Sequence, residues 1–343
     1  MVRPFDSHPL RRSASGMTFG VLLPHFGEHA SPGDFLDRVR LIERLGFDAV
    51  WARDHLLWRP HSHEEHSDIT FLEPFTTLAS VLAATERLVV GTGIMLPVRN
   101  PIRMAQQYAT MSYLSGGRVI AGFGAGHGAE LVAGGIDPAM SHQAVIEMMA
   151  IVARLWTEDH VTFDGEVFSV DDATLEPKPV IPLPILYGGP SRRAARLVAQ
   201  KADGWLAGTV PLTTVDARLK YMNELLEGDI GRLVLCATPR TMIDPDRDLA
   251  RSWANVDRMS KDAKRYWVKP PSGSFSTIED IRGALFVGNE HDIVEGVLEY
   301  DRRGFDHFTF DVRNQFGRFE ETLELIAAEV LPAVRRSMVT ESE

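Results

Sequence analysis

Hydrophobic positions fall into two rhythms that alternate along the chain. Residues 18–24 (TFGVLLP) are a short, continuous apolar run, the pattern of a strand covered on both faces. After a loop, Phe35, Val39, Ile42 and Leu45 recur at helical spacing. Ser31 is placed to cap this helix, Pro32 sits in its first turn and Gly46 ends it. DAVWA then supplies a second strand. The beat continues with a helix across PFTTLASVLAATER, the strand LVVGTGIML, a helix MAQQYATMSYLS closed by Gly116-Gly117, and the strand RVIAGFG. An amphipathic helix from Ser141 to Trp156 follows, and PILYG, DGWLAG, RLVLCA and HFTFDV bring the strands to eight. Strands alternating with helices, with no internal repeat and no Gly/Ser-rich linker, predict one α/β domain. The predicted architecture is a (β/α)8 TIM barrel, about 250 residues with the surplus in insertions.

The barrel is expected over residues 17–338, with 1–16 a flexible tail and Met17 an alternative start. Three inserts stand out, because long loops in compact domains tend to be functional. Residues 53–70 follow the second strand. Residues 157–183 contain VTFDGEVFSV, read as a hairpin turning at Asp164-Gly165. Residues 239–280 are charged, carry Trp253 and Trp267, and read as a lid or an interface element. Barrel chemistry sits at the C-terminal ends of strands, so candidates are sought just after each one.

Composition narrows the choice of partners. The 343 residues carry a net charge of -11 with no basic block, which argues against nucleic acid. A single cysteine, Cys236, excludes an intramolecular disulfide and a Cys-based zinc cage. No apolar run approaches a membrane span, and the Arg11-Arg12 pair lacks the apolar segment of an export signal, so a cytoplasmic protein is expected.

Two glycine-rich strand ends carry candidate binding chemistry. GFGAGHGA contains G-x-G-x-x-A at Gly124, Gly126 and Ala129, but LVAGGIDP after it is poor helix material, and a Rossmann unit would need a helix there. What remains is a side-chain-poor loop that lets a ligand approach the backbone at Gly126, or simply a tight turn. In YGGPSRRAARLV, a strand ends at Tyr187, Gly188 and Gly189 follow, and Pro190-Ser191 opens a helix. Free N–H groups there form an anion site, with Arg192 and Arg193 either adding charge or merely solvated. His25, His55 and His127 follow strands one, two and four. His61, His63, Glu64, Glu65 and His66 have ligand-like spacing, but no second cluster completes a site and no metal is expected.

At GTGIMLPVRNPIRMAQQYATMSYLSGGRVIAGFGAG the sequence resembles the bacterial luciferase-like family of flavin- and deazaflavin-dependent oxidoreductases. GFDAVWARDHLLW, LEPKPVIPLPILYGGPSRRAARLVAQKADGW and FVGNEHDIVEGVLEYDRRGFDHFTFDV extend the resemblance over nearly the whole chain from Thr18. It implies an isoalloxazine-type ring in the barrel mouth and a phosphate site at Gly188, Gly189, Pro190 and Ser191. Asp54-His55 resembles the Asp-His pair of the coenzyme F420 branch. The Glu that some members use after strand four corresponds here to His127, while Glu130 is near but off the matching position. The expectation is therefore F420-dependent hydride transfer to or from a small organic substrate. The alternative is an FMN monooxygenase fed by a separate reductase, and oxygen dependence separates the two.

His55 and His127 are the expected proton carriers, since imidazole titrates near neutrality. Asp54, Gly93, Ile94 and Gly126 are expected at the cofactor, Met95 and Leu96 at the mouth, and His25 and Trp58 at the substrate. The resemblance also implies a cis peptide at Gly93-Ile94, and a homodimer is expected. A non-catalytic flavin-binding barrel and a phosphosugar isomerase or aldolase are weaker readings; the aldolase would want a Lys at a strand end, and none is there.

Overall fold

Eight parallel strands close into a barrel in the computed structural model, which describes residues 8–12, 16–30, 33–56, 70–126, 128–261 and 264–340. In chain order the strands are β1 (Thr18–Leu22), β2 (Ala49–Ala52), β3 (Val89–Thr92), β4 (Val119–Phe123), β5 (Val161–Asp164), β6 (Ser169–Ala173), β7 (Ile185–Gly188), β8 (Gly204–Ala207), β9 (Val234–Ala237), β10 (Arg240–Ile243), β11 (Leu285–Gly288) and β12 (His307–Phe310). The barrel runs β1-β2-β3-β4-β7-β8-β9-β12 and closes back on β1. Each of these strands lies in a segment whose apolar run predicts it. None of the described helices is long and apolar enough to cross a membrane.

The continuous apolar runs follow from burial on both strand faces: the outer face meets the helices and the inner face fills the barrel. Glycines make room for the largest interior groups. A Cβ on Gly91 would lie 2.5 Å from the Trp51 ring, and one on Gly20 would lie 2.6 Å from His307 Nε2. Trp51 Nε1 donates to His307 Nε2 at 3.0 Å, and His307 Nδ1 meets Thr18 Oγ1 at 2.8 Å. Helix ends follow local chemistry. Asn100 caps Pro101–Ser115 by accepting from the N–H groups of Ile102 and Arg103, and Gly116 ends it in the left-handed region at φ 69°. Helix Phe35–Arg44 has Asp34 at its N-cap; Ser31 and Pro32 lie outside the described residues.

Four features depart from or refine the sequence reading. Within the expected tail, residues 8–12 pack against the N-terminal end of the barrel. His8 and Leu10 are buried, and Arg11 pairs with Asp306 at 3.1 Å and Arg12 with Asp301 at 2.7 Å. This polar stretch is held because its charges meet carboxylates ahead of β12. Secondly, residues 129–133, which overlap only the first three positions of the LVAGGIDP stretch read as poor helix material, form a short helix with Glu130 and Leu131 buried. Thirdly, the 239–280 insert opens with β10, which pairs in parallel with β11 as a separate sheet. Thr241 N–H donates to Asp311 O at 2.9 Å, so this part of the insert is fixed to the barrel rim. Trp267 is buried and packs edge-on to Phe275. Finally, β5 and β6 form the expected hairpin, whose turn is tied down when Glu147 accepts from the N–H groups of Glu166, Val167 and Phe168.

Candidate active site

A cleft of about 390 Å³ opens at the C-terminal ends of β2, β3, β4 and β7. Its back wall comes from the chain leaving β3. The Gly93–Ile94 peptide bond is cis, as the resemblance implies. Met95 N–H then donates to Gly122 O at 2.8 Å and Gly124 N–H to Met95 O at 3.0 Å, which holds this segment against β4. Ile94 lies half-buried on the wall. A Cβ on Gly188 would stand 2.7 Å from Ile94 Cγ2, and one on Gly124 only 1.7 Å from its Cδ1. The bare strand ends are therefore what admits Ile94 and leaves a flat face.

Beneath that wall, Asp54 is fully shielded from solvent. Its Oδ2 takes hydrogen bonds from Arg99 and from Leu96 N–H, while Oδ1 is buried with no donor. Burial raises the pKa of this carboxyl, and the Arg99 guanidinium pulls it the other way.

The second wall is the turn Gly188–Ser191. Gly189 has φ 147°, a conformation that side chains resist, and a Cβ there would approach Ala194 Cβ at 3.1 Å. Ser191 caps helix Arg192–Lys201, its Oγ accepting from Ala194 N–H at 3.0 Å. The carbonyls of the turn point back into the protein: Trp205 Nε1 donates to Gly189 O at 3.1 Å and Arg218 Nε to Pro190 O at 2.8 Å. First-turn N–H groups have no intrahelical acceptor and bear the positive end of the dipole, so the face toward the cleft suits an anion. His142, Tyr187 and Tyr266 complete this side.

The third wall carries the titratable groups. His55 Nδ1 lies 3.2 Å from both carboxylate oxygens of Glu130, and Leu56 N–H donates to Glu130 Oε1 at 2.8 Å. His55 Nε2 is 3.0 Å from Arg53 Nη2. A carboxylate only accepts and a guanidinium only donates, so the partners select the neutral tautomer with its proton on Nδ1. Phe71 packs edge-on to the imidazole at 4.7 Å between ring centroids, and Arg53 lies over Phe26 at 4.8 Å.

The cleft thus gathers Asp54, His55, Gly93, Ile94, Gly126 and the turn Gly188, Gly189, Pro190, Ser191 from the sequence candidates. His25 is corrected: it is fully buried and off the cleft. Its Nδ1 donates to Leu23 O at 2.9 Å and its Nε2 accepts from Arg53 N–H at 3.0 Å, so it pins the ends of β1 and β2. Burial pushes its pKa down to about 4, which keeps it neutral. His127, Trp58 and the histidine-rich run 61–66 lie outside the described residues. Among the described residues no His/Cys/Asp/Glu group could hold a metal. Sequence reasoning missed Glu130's contact with His55, and also Arg53, Arg99, His142 and Tyr266. The available signal for Glu130 was one acid within the otherwise apolar AELVA directly after a glycine-rich strand end.

Residues 17–307 match the family model described as luciferase-like monooxygenase. The chain is 28% identical over 339 residues to an F420-dependent glucose-6-phosphate dehydrogenase of Intrasporangium calvum, covering 90% of this chain and 96% of the relative. It is 31% identical over 194 residues to an F420-dependent hydroxymycolic acid dehydrogenase of Mycobacterium tuberculosis, covering 55% of this chain and 52% of the relative. Among solved structures, an F420-dependent secondary alcohol dehydrogenase in complex with an F420–acetone adduct superposes with a TM-score of 0.75 at 21% identity, over 93% of this chain and 99% of that one. The oxygenating constituent of 3,6-diketocamphane monooxygenase, in complex with FMN, superposes at 0.67 and 17% identity, over 92% and 98%. At these identities the two structures share the fold. A closed barrel with its cleft at the strand C-termini, and a family match over most of the chain, make this protein a member of the luciferase-like monooxygenase family of oxidoreductases.

Proposed function

We propose that the protein is an F420-dependent oxidoreductase that moves a hydride between the deazaflavin and a carbon bearing a small substrate's hydroxyl or carbonyl oxygen. The observation that carries this reading is one cleft holding a carboxylate-fixed imidazole, a flat glycine-rich wall and an anion-binding turn. The residues fit the cofactor in two respects. Gly189 and the N–H groups opening helix Arg192–Lys201 would hold its phosphate. The orphaned Asp54 Oδ1 is an acceptor awaiting a donor, which a ring N–H or hydroxyl would supply. The dehydrogenase that covers 90% of this chain is named for F420, which favours the deazaflavin over FMN.

When bound, F420 supplies a ring carbon that accepts or gives a hydride. The chain's own residues do the rest. Ile94 and the bare ends of β4 and β7 orient the ring face. Glu130 holds the His55 proton on Nδ1, so Nε2 is the basic atom directed at the cleft. Arg53 caps that atom; turning its guanidinium to the substrate oxygen frees Nε2 to take the hydroxyl proton and steadies the developing negative charge. Phe71 and Phe26 shield the pair from water.

Titration of the purified protein with F420 and with FMN, followed by each cofactor's fluorescence, tests the cofactor. Anaerobic turnover of F420 with glucose 6-phosphate and a panel of secondary alcohols tests the chemistry. Tight F420 binding with oxygen-independent loss of the oxidised F420 band is the expected result. Preference for FMN, with product formed only in oxygen, would replace this reading with a monooxygenase.

A further inference from the structure

Among the described residues that line the cleft, Arg53 is the only lysine or arginine, and its partner there is His55. Its Nη2 stands 3.0 Å from His55 Nε2. The guanidinium lies over the Phe26 ring at 4.8 Å and the Phe71 ring at 5.8 Å, and these two rings stack on each other at 5.5 Å. The carboxylates of the lining have donors of their own. Asp54 Oδ2 takes Arg99 and Leu96 N–H, and Glu130 takes His55 and Leu56 N–H. What Arg53 meets at the cleft is a neutral imidazole nitrogen.

A guanidinium held over aromatic faces keeps both its plane and its charge where those rings shed water. A neutral nitrogen is a weak acceptor for it there. A carboxylate makes charge-assisted bonds about twice as strong as neutral ones and takes two parallel N–H groups at once. A carboxylate entering the cleft therefore draws the guanidinium from His55 Nε2 and uncaps the base. Spacing fixes where that carboxylate stands relative to the reacting carbon. Nη2 and Nε2 are one hydrogen-bond length apart. The hydroxyl oxygen and the nearer carboxylate oxygen of a 2-hydroxy acid are similarly close, and a further methylene spreads them.

We propose that Arg53 determines specificity and that the substrate is a 2-hydroxy acid or the corresponding 2-oxo acid. Its carboxylate forks onto Arg53 while the oxygen on carbon 2 meets His55 Nε2. This rests on the F420 reading above and names the substrate class of the same site. In the oxidative direction the C2–H bond breaks with its electron pair, which leaves as hydride to the oxidised deazaflavin. The O–H bond breaks, its proton goes to His55 Nε2, and the C2–O bond becomes a carbonyl. The reductive direction returns the same hydride and proton. A neutral alcohol or ketone reaches the same atoms but leaves Nε2 capped, so it turns over more slowly.

The test follows anaerobic reoxidation of reduced F420, by return of the oxidised band, with 2-oxobutyrate, its neutral amide 2-oxobutanamide, and 3-oxobutyrate. Wild type should favour 2-oxobutyrate in kcat/KM by at least about tenfold over each of the others. Arg53→Gln keeps hydrogen-bonding groups without the charge and should lose the preference for acid over amide, whatever rate remains. Its affinity for F420 should stay within about twofold of wild type, which reports that it is folded. Calorimetry with oxamate, an unreactive mimic of a 2-oxo acid, gives a readout without turnover: binding to the F420-loaded protein should weaken at least about tenfold in Arg53→Gln. The wild-type series decides the question even where the variant does not fold. Equal or better turnover of the amide, a preference for 3-oxobutyrate, no turnover of any of the three by protein that binds F420, or an acid preference that survives in Arg53→Gln would overturn the 2-oxo acid site and leave the F420 reading standing. Failure to bind F420 at all would overturn both.

Discussion

The two ends of the barrel treat buried polar groups in opposite ways. At the N-terminal end the groups close on one another. His307 accepts from Trp51 and meets Thr18, His8 Nε2 reaches Val119 O at 3.2 Å, and Arg11 pairs with Asp306. At the C-terminal end, His25 apart, they are held open. Asp54 Oδ1 has no donor, and His55 and Glu130 face a cleft beside the Gly188–Ser191 turn. A buried polar group that finds an internal partner supports the fold, whereas one left without a partner costs stability until a ligand completes it. The closed end builds the barrel and the open end is reserved for binding and chemistry, the division expected of this architecture.

Substitutions at matched histidines break the comparison most sharply. His55→Ala should lower turnover about 10²–10⁴-fold with little change in stability or cofactor affinity. Steady-state kinetics beside a melting curve check this, and preserved kcat would make His55 a packing residue. His307→Leu should do the reverse: it strands the buried Trp51 N–H, while the Thr18 hydroxyl keeps Asp306 O at 3.2 Å, costing about 1–3 kcal/mol in denaturant unfolding. The protein that remains folded should bind cofactor normally; lost binding without lost stability would place the two ends in one functional unit.

Subtler changes sharpen the contrast. Gly189→Val should weaken cofactor binding at least tenfold, about 1.4 kcal/mol, by closing the backbone approach at the turn. Unchanged affinity in fluorescence titration would move the phosphate elsewhere. The smallest effect is expected from acid on the wild type. Burial lowers the pKa of His25 to about 4 and that of His307 to about 3. Near pH 6 the unfolded chain therefore takes up protons that the folded chain refuses, and stability falls. Asp203, raised to about 6 by burial, opposes this by accepting a proton in the folded state. With two histidines against one carboxylate, going from about pH 7 to about pH 6 should cost about 1 kcal/mol. Stability that rises over that interval would show that the histidines are not buried neutral.

The eight barrel strands, the hairpin turning at Asp164-Gly165 and the helix opened by Ser191 were legible from sequence because they express local rules. A strand buried on both faces must be apolar throughout, and a helix start needs a cap whatever surrounds it. β10 escaped because Arg240–Ile243 is too short to show a period, and its burial comes from β11, which pairs with it from more than forty residues away. Residues 8–12 escaped because polar composition reads as a tail unless the partner charges are known. Those charges, Asp301 and Asp306, sit near the other end of the chain.

At the site, sequence alone determined the family resemblance, the glycine-rich strand ends, the helix-opening turn Gly188–Ser191 and the Asp54-His55 pair. Each is a short pattern whose chemistry lies in adjacent residues. Which histidine reaches the cleft was decided only by tertiary structure. His25 and His55 occupy the same kind of place, just after a strand, yet His25 turns inward to Leu23 and Arg53 while His55 turns to the cleft. The His55–Glu130 contact joins residues 75 positions apart and exists only because β3 lies between β2 and β4 in one curved wall. Residue type and spacing along the chain specify what chemistry is available; barrel closure specifies which groups meet, because a side chain's direction and partners are set by strands and loops distant in sequence.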